Sequence, residues 1–352
     1  MIMKHPPISW EHLGPAMERG TSGSPDADVT GDPCIVWDET ENAFRMFYFG
    51  QRHEEGREIN CIMHALSQGP AHVGPGQWRK CGAIQYENPQ DLPGDAHKPY
   101  VLMDAWHINR AARVDGLFML YFVIWEQEHK KIYRAAARKL AGPWRVQPEP
   151  VLELGVEDAF DGYHVDTVSS FYFAEQARTL LFYKGYPLVP QPDTLNSPYG
   201  SRTAAAWMKD GDTTASRAGV VLKPAGDGTW YAGWTAGMQI IPADGGGWWA
   251  LCNASPTPPA PVAISPQMRE PAPSLGGWAY TPDHDPTIGW QFQHEPIVSL
   301  LNLPANAVAQ GECVNLWRHH LLLTDDGFAY LFYNSGAYGS ERMFVRRAII
   351  PE

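Results

Sequence analysis

The 352-residue chain is 44% hydrophobic and 19% charged, with a formal net charge of −12 and 14 Trp, 15 Tyr and 13 Phe, which describes an aromatic globular protein rather than a disordered one. The acidic balance, with no basic face in the sequence, speaks against nucleic acid as a partner, and no stretch is long and apolar enough to cross a bilayer. The opening residues MIMKHPPISWEHLGP hold no apolar core of signal-peptide length, so a soluble, cytoplasmic protein is expected.

In chain order, GDPCIVWDETENAFRMFYFG (31–50) reads as an apolar run opened by Asp32, a polar turn, and an aromatic strand closed by glycine. This is a hairpin pattern. INCIMHALSQGP (59–70) supplies a third strand of small and apolar residues, and Trp78 follows it. The same rhythm returns in LFMLYFV (117–123) after the turn VDG, then KIYRAAARKLAGPW (131–144) ending on Trp144, then the short EPVLEL. A third unit comprises VDTVSSFYF, the turn AEQAR, TLLFYKG (179–185) and SRTAAAWMKDGD. A weaker fourth has ADGGG, GWWALCN (247–253) and HEPIVSL (294–300), and a fifth has TDDG and FAYLFYN (328–334). SPTPPAPVAISPQMREPAPSLGG (255–277) shows no strand pattern and is expected to be a long surface loop.

Helical periodicity is scarce, so the fold class is all-β. Five units of blade length predict one domain over 1–352, a five-bladed β-propeller of four-stranded antiparallel blades near 29–80, 97–154, 161–223, 229–300 and 308–350. Such units cannot bury their own faces, but packed radially they can, and closure removes exposed sheet edges. Trp78 and Trp144 are expected to pack between outer strands. The five cysteines (Cys34, Cys61, Cys81, Cys252 and Cys313) lack CxxC spacing and read as free thiols.

Measured back from Tyr48, Tyr121 and Tyr183, three aspartates fall at nearly one offset: Asp32, Asp104 and Asp166. Matching positions on inner strands converge on the axis, and carboxylates gathered there shift one another's pKa values apart. The alternative is that each Asp merely caps a turn or strand start. A register slip of one would turn Trp106 or His107 toward the pocket instead of Asp104. Glu312, between Gly and Cys at the start of an apolar strand, needs either a role or an arginine partner. Arg110, Arg113, Lys184 and Arg202 lie on or near strands, where they would hold a ligand's carboxylate or phosphate, or pair the aspartates. His107, His164 and His319 fall near inner strands without a compact ligand pattern, and satisfied histidines are the simpler reading. Trp106 and Trp234 are candidates for stacking on the apolar face of a ligand. No GxGxxG, P-loop or GxSxG is present.

With Asp-Pro opening GDPCIVWDE, with HALSQGP, with RAAARKLAGPW ending in Gly-Pro-Trp, and with ECVNLW, the chain resembles the five-bladed propeller glycoside hydrolases of family 43, the arabinanases and xylosidases, and the related family 32 invertases. The resemblance implies an axial pocket with an Asp as base or nucleophile, a second Asp as helper and a Glu as acid. Asp32 maps onto the first; Asp166, which stands where the family's third-blade Glu is usual, would be the helper that tunes pKa or orients the sugar; and Glu312 in the fifth unit is the nearest Glu for the acid. It implies no required cofactor, with an axial calcium ion in some members. The expected ligand is a carbohydrate and the expected activity that of a glycosidase. The alternatives are a transferase, phosphorylase or lyase on the same scaffold, or a non-catalytic sugar-binding propeller.

Overall fold

The computed structural model describes residues 2–193, 197–225, 228–257, 274–298, 316–336 and 339–351. Strand β1 (Glu11–Met17) precedes the inner strands of five sheets. The first holds β2 (Val29–Asp38), β3 (Ala43–Glu54), β4 (Arg57–Ser67) and β5 (Trp78–Ala83), joined as an antiparallel meander. The second holds β6 (Ala96–Val101), β9 (Leu117–Glu126), β10 (His129–Ala137) and β11 (Arg145–Val146), with β7 (Met103–Asp104) and β8 (Arg113–Val114) on the connection between β6 and β9. The third holds β12 (His164–Phe173), β13 (Arg178–Tyr186), β14 (Arg202–Lys209) and β15 (Ser216–Leu222). The fourth holds β16 (Trp234–Pro242), β17 (Trp248–Ser255), β18 (Leu275–Thr281) and β19 (Gln291–Val298). The fifth holds β20 (Leu316–Leu323), β21 (Phe328–Ser335) and β22 (Arg342–Ile349), and β1 pairs with β22 as its outermost strand.

The inner strands touch in the order β2, β6, β12, β16, β20 and back to β2. This is a closed five-bladed β-propeller, and the last blade is finished by the N-terminal strand. Closure by a strand from the other end of the chain ties the first and last blades together without leaving an edge. The only helices among the described residues are two short 3₁₀ turns, at Pro89–Asp91 and Ala174–Gln176. The proline-rich segment lies outside the described residues over 258–273, but Leu275–Thr281 at its end is strand β18 rather than loop.

Inner strands are sandwiched between neighbouring blades, so they are buried on both faces; β2 is buried at nine of its ten positions. The turn tryptophans bridge blades as expected. Trp78 meets Phe332 of the fifth blade edge-on at 5.7 Å, and Trp144 meets Phe47 of the first at 5.9 Å. Cys34 and Cys252 are buried free thiols, Cys61 and Cys81 are half-buried free thiols, and Cys313 lies outside the described residues.

A repeated polar anchor sits just before the inner strand in two blades. Tyr48 donates to Asp26 at 2.9 Å and Lys80 pairs with the same carboxylate at 2.6 Å. In the third blade Tyr183 donates to Asp161 at 2.8 Å and Arg217 pairs with it at 2.8 Å. Gly50 and Gly185 stand two residues past the tyrosines, and a Cβ there would come within 3.1 Å of Asp26 Cβ and 2.8 Å of Asp161 Cβ. Each glycine thus makes room for the carboxylate. Asp161 is fully buried and its Oδ1 has no partner, so it depends on Tyr183 and Arg217. Tyr183→Phe is expected to cost about 1–3 kcal/mol of stability, because it removes a donor from a buried charge. Urea unfolding checks this; an unchanged midpoint would show that the tyrosine does not anchor the carboxylate.

Candidate active site

All five inner strands break their ladder at the same level. Register shifts fall at Gly31/Cys34, His97/Tyr100, Asp166/Ser169, Ala236/Met238 and Trp317/His320. Within each bulge one residue has left-handed backbone: Asp32 (φ 49°), Lys98 (φ 53°), Thr167 (φ 49°), Gly237 (φ 46°) and Arg318 (φ 29°). Bulges re-aim side chains, and four of these five residues are not glycine, a conformation that costs roughly 1 kcal/mol or more each. Strain of this kind collects at functional sites.

The ring converges on a charge cluster. Asp166, wholly buried, accepts from Lys98 Nζ at 2.8 and 2.7 Å, from Lys130 Nζ at 2.9 Å and from the Thr167 amide at 2.7 Å. Burial raises the Asp166 pKa, but Lys130 and Lys98 together with His97 overcome this and hold the carboxyl well below its ordinary value. Asp32 feels Lys98, Arg318 and Lys130 as well as Asp166, and burial is the strongest influence, pushing its pKa up. Its carboxylate accepts no hydrogen bond from the described residues; its backbone amide donates to Asn334 Oδ1 at 3.3 Å. Gly31 allows that approach, since a Cβ there would stand 2.7 Å from Asn334 Nδ2. Lys184 faces Asp166 across β12 and β13, with its ammonium 4.1 Å from the Trp234 ring centre and 4.6 Å from that of Tyr186. Burial lowers the Lys184 pKa to about 7, with Asp166 opposing and Lys98 and Lys130 assisting. Arg318 reaches across the axis to donate to the carbonyls of Lys98, at 3.1 Å, and of Val168.

A second carboxyl stands beside Asp32. Glu341, buried before β22, has its pKa raised to about 7, by burial above all and by the charge of Asp32, against backbone amides of Gly339 to Glu341 that favour the ion. Its carbonyl accepts from the Thr30 amide at 3.2 Å, which ties it to the β2 strand carrying Asp32.

The expected site residues therefore divide. Asp32, Asp166, His164, Lys184 and Trp234 lie at one end of the propeller. His164 accepts from the Lys130 amide at 3.2 Å. Arg202 lies at the same end but is taken by Asp193, at 2.9 Å, and by the Gly200 carbonyl. Glu312 lies outside the described residues. Asp104, Trp106, His107 and Arg110 are at the opposite end: Asp104 pairs with Tyr172 at the far end of β12, and Arg110 bridges to Trp37 at the far end of β2. The second blade's inner strand is β6, where Lys98 holds the ring position. An excursion from Leu102 to Gly116 separates it from β9 and breaks the constant Asp–Tyr offset. Asp104 instead caps the Trp106 amide at 2.8 Å and contacts His107 at 3.1 Å, and Trp106 packs on Trp248 at 4.7 Å. In the third blade the register is one residue off, so Thr167 is the counterpart of Asp32 and Asp166 precedes it.

Lys98, Lys130, Arg318 and Glu341 were not among the sequence candidates. Lys98 in AHKPYV and Arg318 in LWRHHLLL are charges inside apolar strands, a signal that does single them out. Lys130 and Glu341 look like ordinary turn residues.

The same excursion seals the far end of the axis. Asn109 donates to the carbonyls of Ile35 at 3.1 Å and Leu321 at 2.9 Å, and Gln239 exchanges two hydrogen bonds with Leu321. Between this seal and the ring a cavity of about 20 Å³, lined by Arg318, His319, Gln239 and Asn253 among others, has room for a single water molecule. Among the described residues the donors do not fit an axial calcium ion. Calcium takes six to eight oxygens, whereas both Asp166 oxygens are already held by lysine ammonium groups, and no cluster of three His, Cys, Asp or Glu side chains forms among the described residues.

Comparison with known proteins supports the fold. No family model and no curated protein sequence matches the chain. Among solved structures it superposes on that of BT0996 in complex with RGII with TM-score 0.73 at 14% identity, over 97% of this protein and 92% of that one. A protein of the GH130 family of mannoside phosphorylases, which contains glycoside hydrolases that target beta-1,2 mannosidic linkages in Candida mannan, gives 0.64 at 13% identity, over 98% and 95%. The endo-arabinase from Bacteroides thetaiotaomicron gives 0.59 at 12% identity, over 94% and 98%. The chain thus has the five-bladed propeller fold of these glycoside hydrolases and phosphorylases.

Five buried histidines fix a pH dependence of stability. Burial chiefly lowers His97, His164, His319 and His320 to about 3 and His64 to about 4, from 6.5. Below pH 6.5 the unfolded chain binds protons that the folded one refuses, so this stability is complete above pH 6.5 and is lost progressively as pH falls toward 3. Each ring contributes up to about 1.4 kcal/mol per pH unit, and Glu341 and Asp32, whose raised pKa values act in the opposite sense, are two groups against five. Urea midpoints are expected to fall steeply between about pH 7 and pH 5; a flat profile would mean that the rings are not buried and neutral.

Proposed function

We propose that the chain is a glycosidase that binds a carbohydrate at the axial ring and cleaves a glycosidic bond with paired carboxyl groups. The observation that carries this reading is the pair Asp32 and Glu341: two buried carboxyls, the second tied by its carbonyl to the Thr30 amide two residues before the first and raised in part by its charge, whose surroundings differ. Burial raises the pKa of both, but Asp32 alone has Lys98, Arg318 and Lys130 opposing that rise, which suits it to be the base or nucleophile. Glu341 has no such cation among the described residues and keeps its proton to about 7, as a general acid must near neutral pH. Divergent environments for two carboxyls are what glycoside cleavage uses. Asp166 holds Lys98 and Lys130 in place, and the buried Trp234 packs its ring against the Lys184 ammonium. The fold shared with BT0996 in its RGII complex and with the endo-arabinase supports a carbohydrate as the ligand.

Asp32→Asn is expected to lower turnover of a cleaved aryl glycoside by about three orders of magnitude or more while leaving the melting temperature close to wild type. Glu341→Gln is expected to lose far more on poor leaving groups than on nitrophenolates, which need little acid assistance. The rate is expected to fall as pH rises through about 7, where Glu341 gives up its proton, and this alkaline limb should vanish in the variant. If Glu312→Gln shows the leaving-group dependence and Glu341→Gln does not, the acid is Glu312. Sugar binding with no turnover on any glycoside would identify a non-catalytic propeller.

A further inference from the structure

Among the described residues the charges around the ring do not balance. Lys98 and Lys130 share Asp166. Arg318 forms no ion pair among the described residues, and its guanidinium is taken up by the carbonyls of Lys98, Pro99 and Val168. Lys184 is different. Its ammonium lies over Trp234 and Tyr186, with no carboxylate in ion-pairing distance and no hydrogen-bond acceptor among the described residues, although the residue is only 7% exposed. A buried ammonium without an acceptor is costly unless something arrives to pair it.

We propose that Lys184 receives the carboxylate of the substrate sugar, so that the site takes uronic acid residues rather than neutral sugars. This rests on the carbohydrate-binding part of the function proposed above and deepens it. The occupant is anionic because, among the described residues, the ring already holds more cations than carboxylates. It is singly charged because one ammonium, not two, lacks an acceptor. The aromatic rings of Trp234 and Tyr186 border the same ammonium, which suits a ligand whose carboxylate adjoins the apolar face of a sugar ring. The titration of Lys184 agrees: buried and faced by Asp166 from β12, Lys98 from β6 and Lys130 from β10, its ammonium falls to about 7, and an anion beside it restores the charge.

The test is calorimetric titration of the full chain with D-glucuronate, D-galacturonate, D-glucose, D-galactose and inorganic phosphate. At least one uronate is expected to bind about tenfold or more tightly than its neutral counterpart, a difference of about 1.4 kcal/mol. Lys184→Met is expected to erase that preference, with Lys184→Gln as a second variant and a thermal melt confirming that each is folded. Equal or tighter binding of the neutral sugars, binding of phosphate alone, no binding of either uronate, or an unchanged preference in both folded variants would overturn the proposal. Because binding is read without turnover, the outcome is separable from the catalytic reading: cleavage of neutral aryl glycosides with no uronate preference defeats the uronate proposal alone. Uronate binding without cleavage defeats the glycosidase alone.

Discussion

Everything at the axis follows from one constraint: five inner strands that converge must each break their hydrogen-bond ladder where they crowd together. The bulges at this level free backbone groups in a dry interior, and such groups need partners. Side chains supply them. Arg318 takes carbonyls from the second and third blades, while Asn109 and Gln239 close the far end against Ile35 and Leu321. The strain of four left-handed residues without glycine's freedom is offset by this cross-bracing, and the return is a rigid ring whose side chains are fixed before any ligand arrives. Preorganisation of that kind is what both binding and catalysis draw on.

Asp166 is the electrostatic hub of the ring. Taking three charges out of water costs several kcal/mol per ion before any pairing, and the geometry recovers this only because Asp166 satisfies two ammonium groups and a backbone amide at once. Its charge also sets the states of its neighbours. It opposes the ionisation of Asp32 and supports the protonated forms of Lys98 and Lys184. Asp166 is therefore a poor proton donor, since its own pKa lies well below the ordinary range. Its contribution is to organise cations around Asp32.

The blade architecture was legible in the sequence because it rests on local patterns: aromatic strands, turn residues, and Trp78 and Trp144 after small-residue strands. Asp32 was legible for the same reason, since its spacing to Tyr48 is undisturbed. The second blade was not, because Leu102 to Gly116 inserts a detour that no periodicity marks, and it carried Asp104, Trp106, His107 and Arg110 to the wrong end of the axis. The closing strand Glu11–Met17 pairs with residues more than three hundred positions away, which lies beyond local pattern altogether. Glu341 was hidden because its burial is made by the β2 strand, not by its own neighbours in sequence.

The repeat itself explains why carboxylates recur, though through different residues from those the spacing first suggests. The aspartates that truly correspond are Asp26 and Asp161, each bonded to a tyrosine of the second strand and a cation from an outer strand. They brace the turn that delivers the chain to the axis, which every blade must solve in some way. The ring positions, by contrast, do not repeat: they read Asp32, Lys98, Thr167, Gly237 and Arg318 around the axis. A symmetric scaffold with identical ring residues would place like charges together and expel them from one another. Five different residues at one level let a carboxylate sit beside cations, a small hydroxyl and an open glycine, and that asymmetry gives the site a direction in which a substrate can be held.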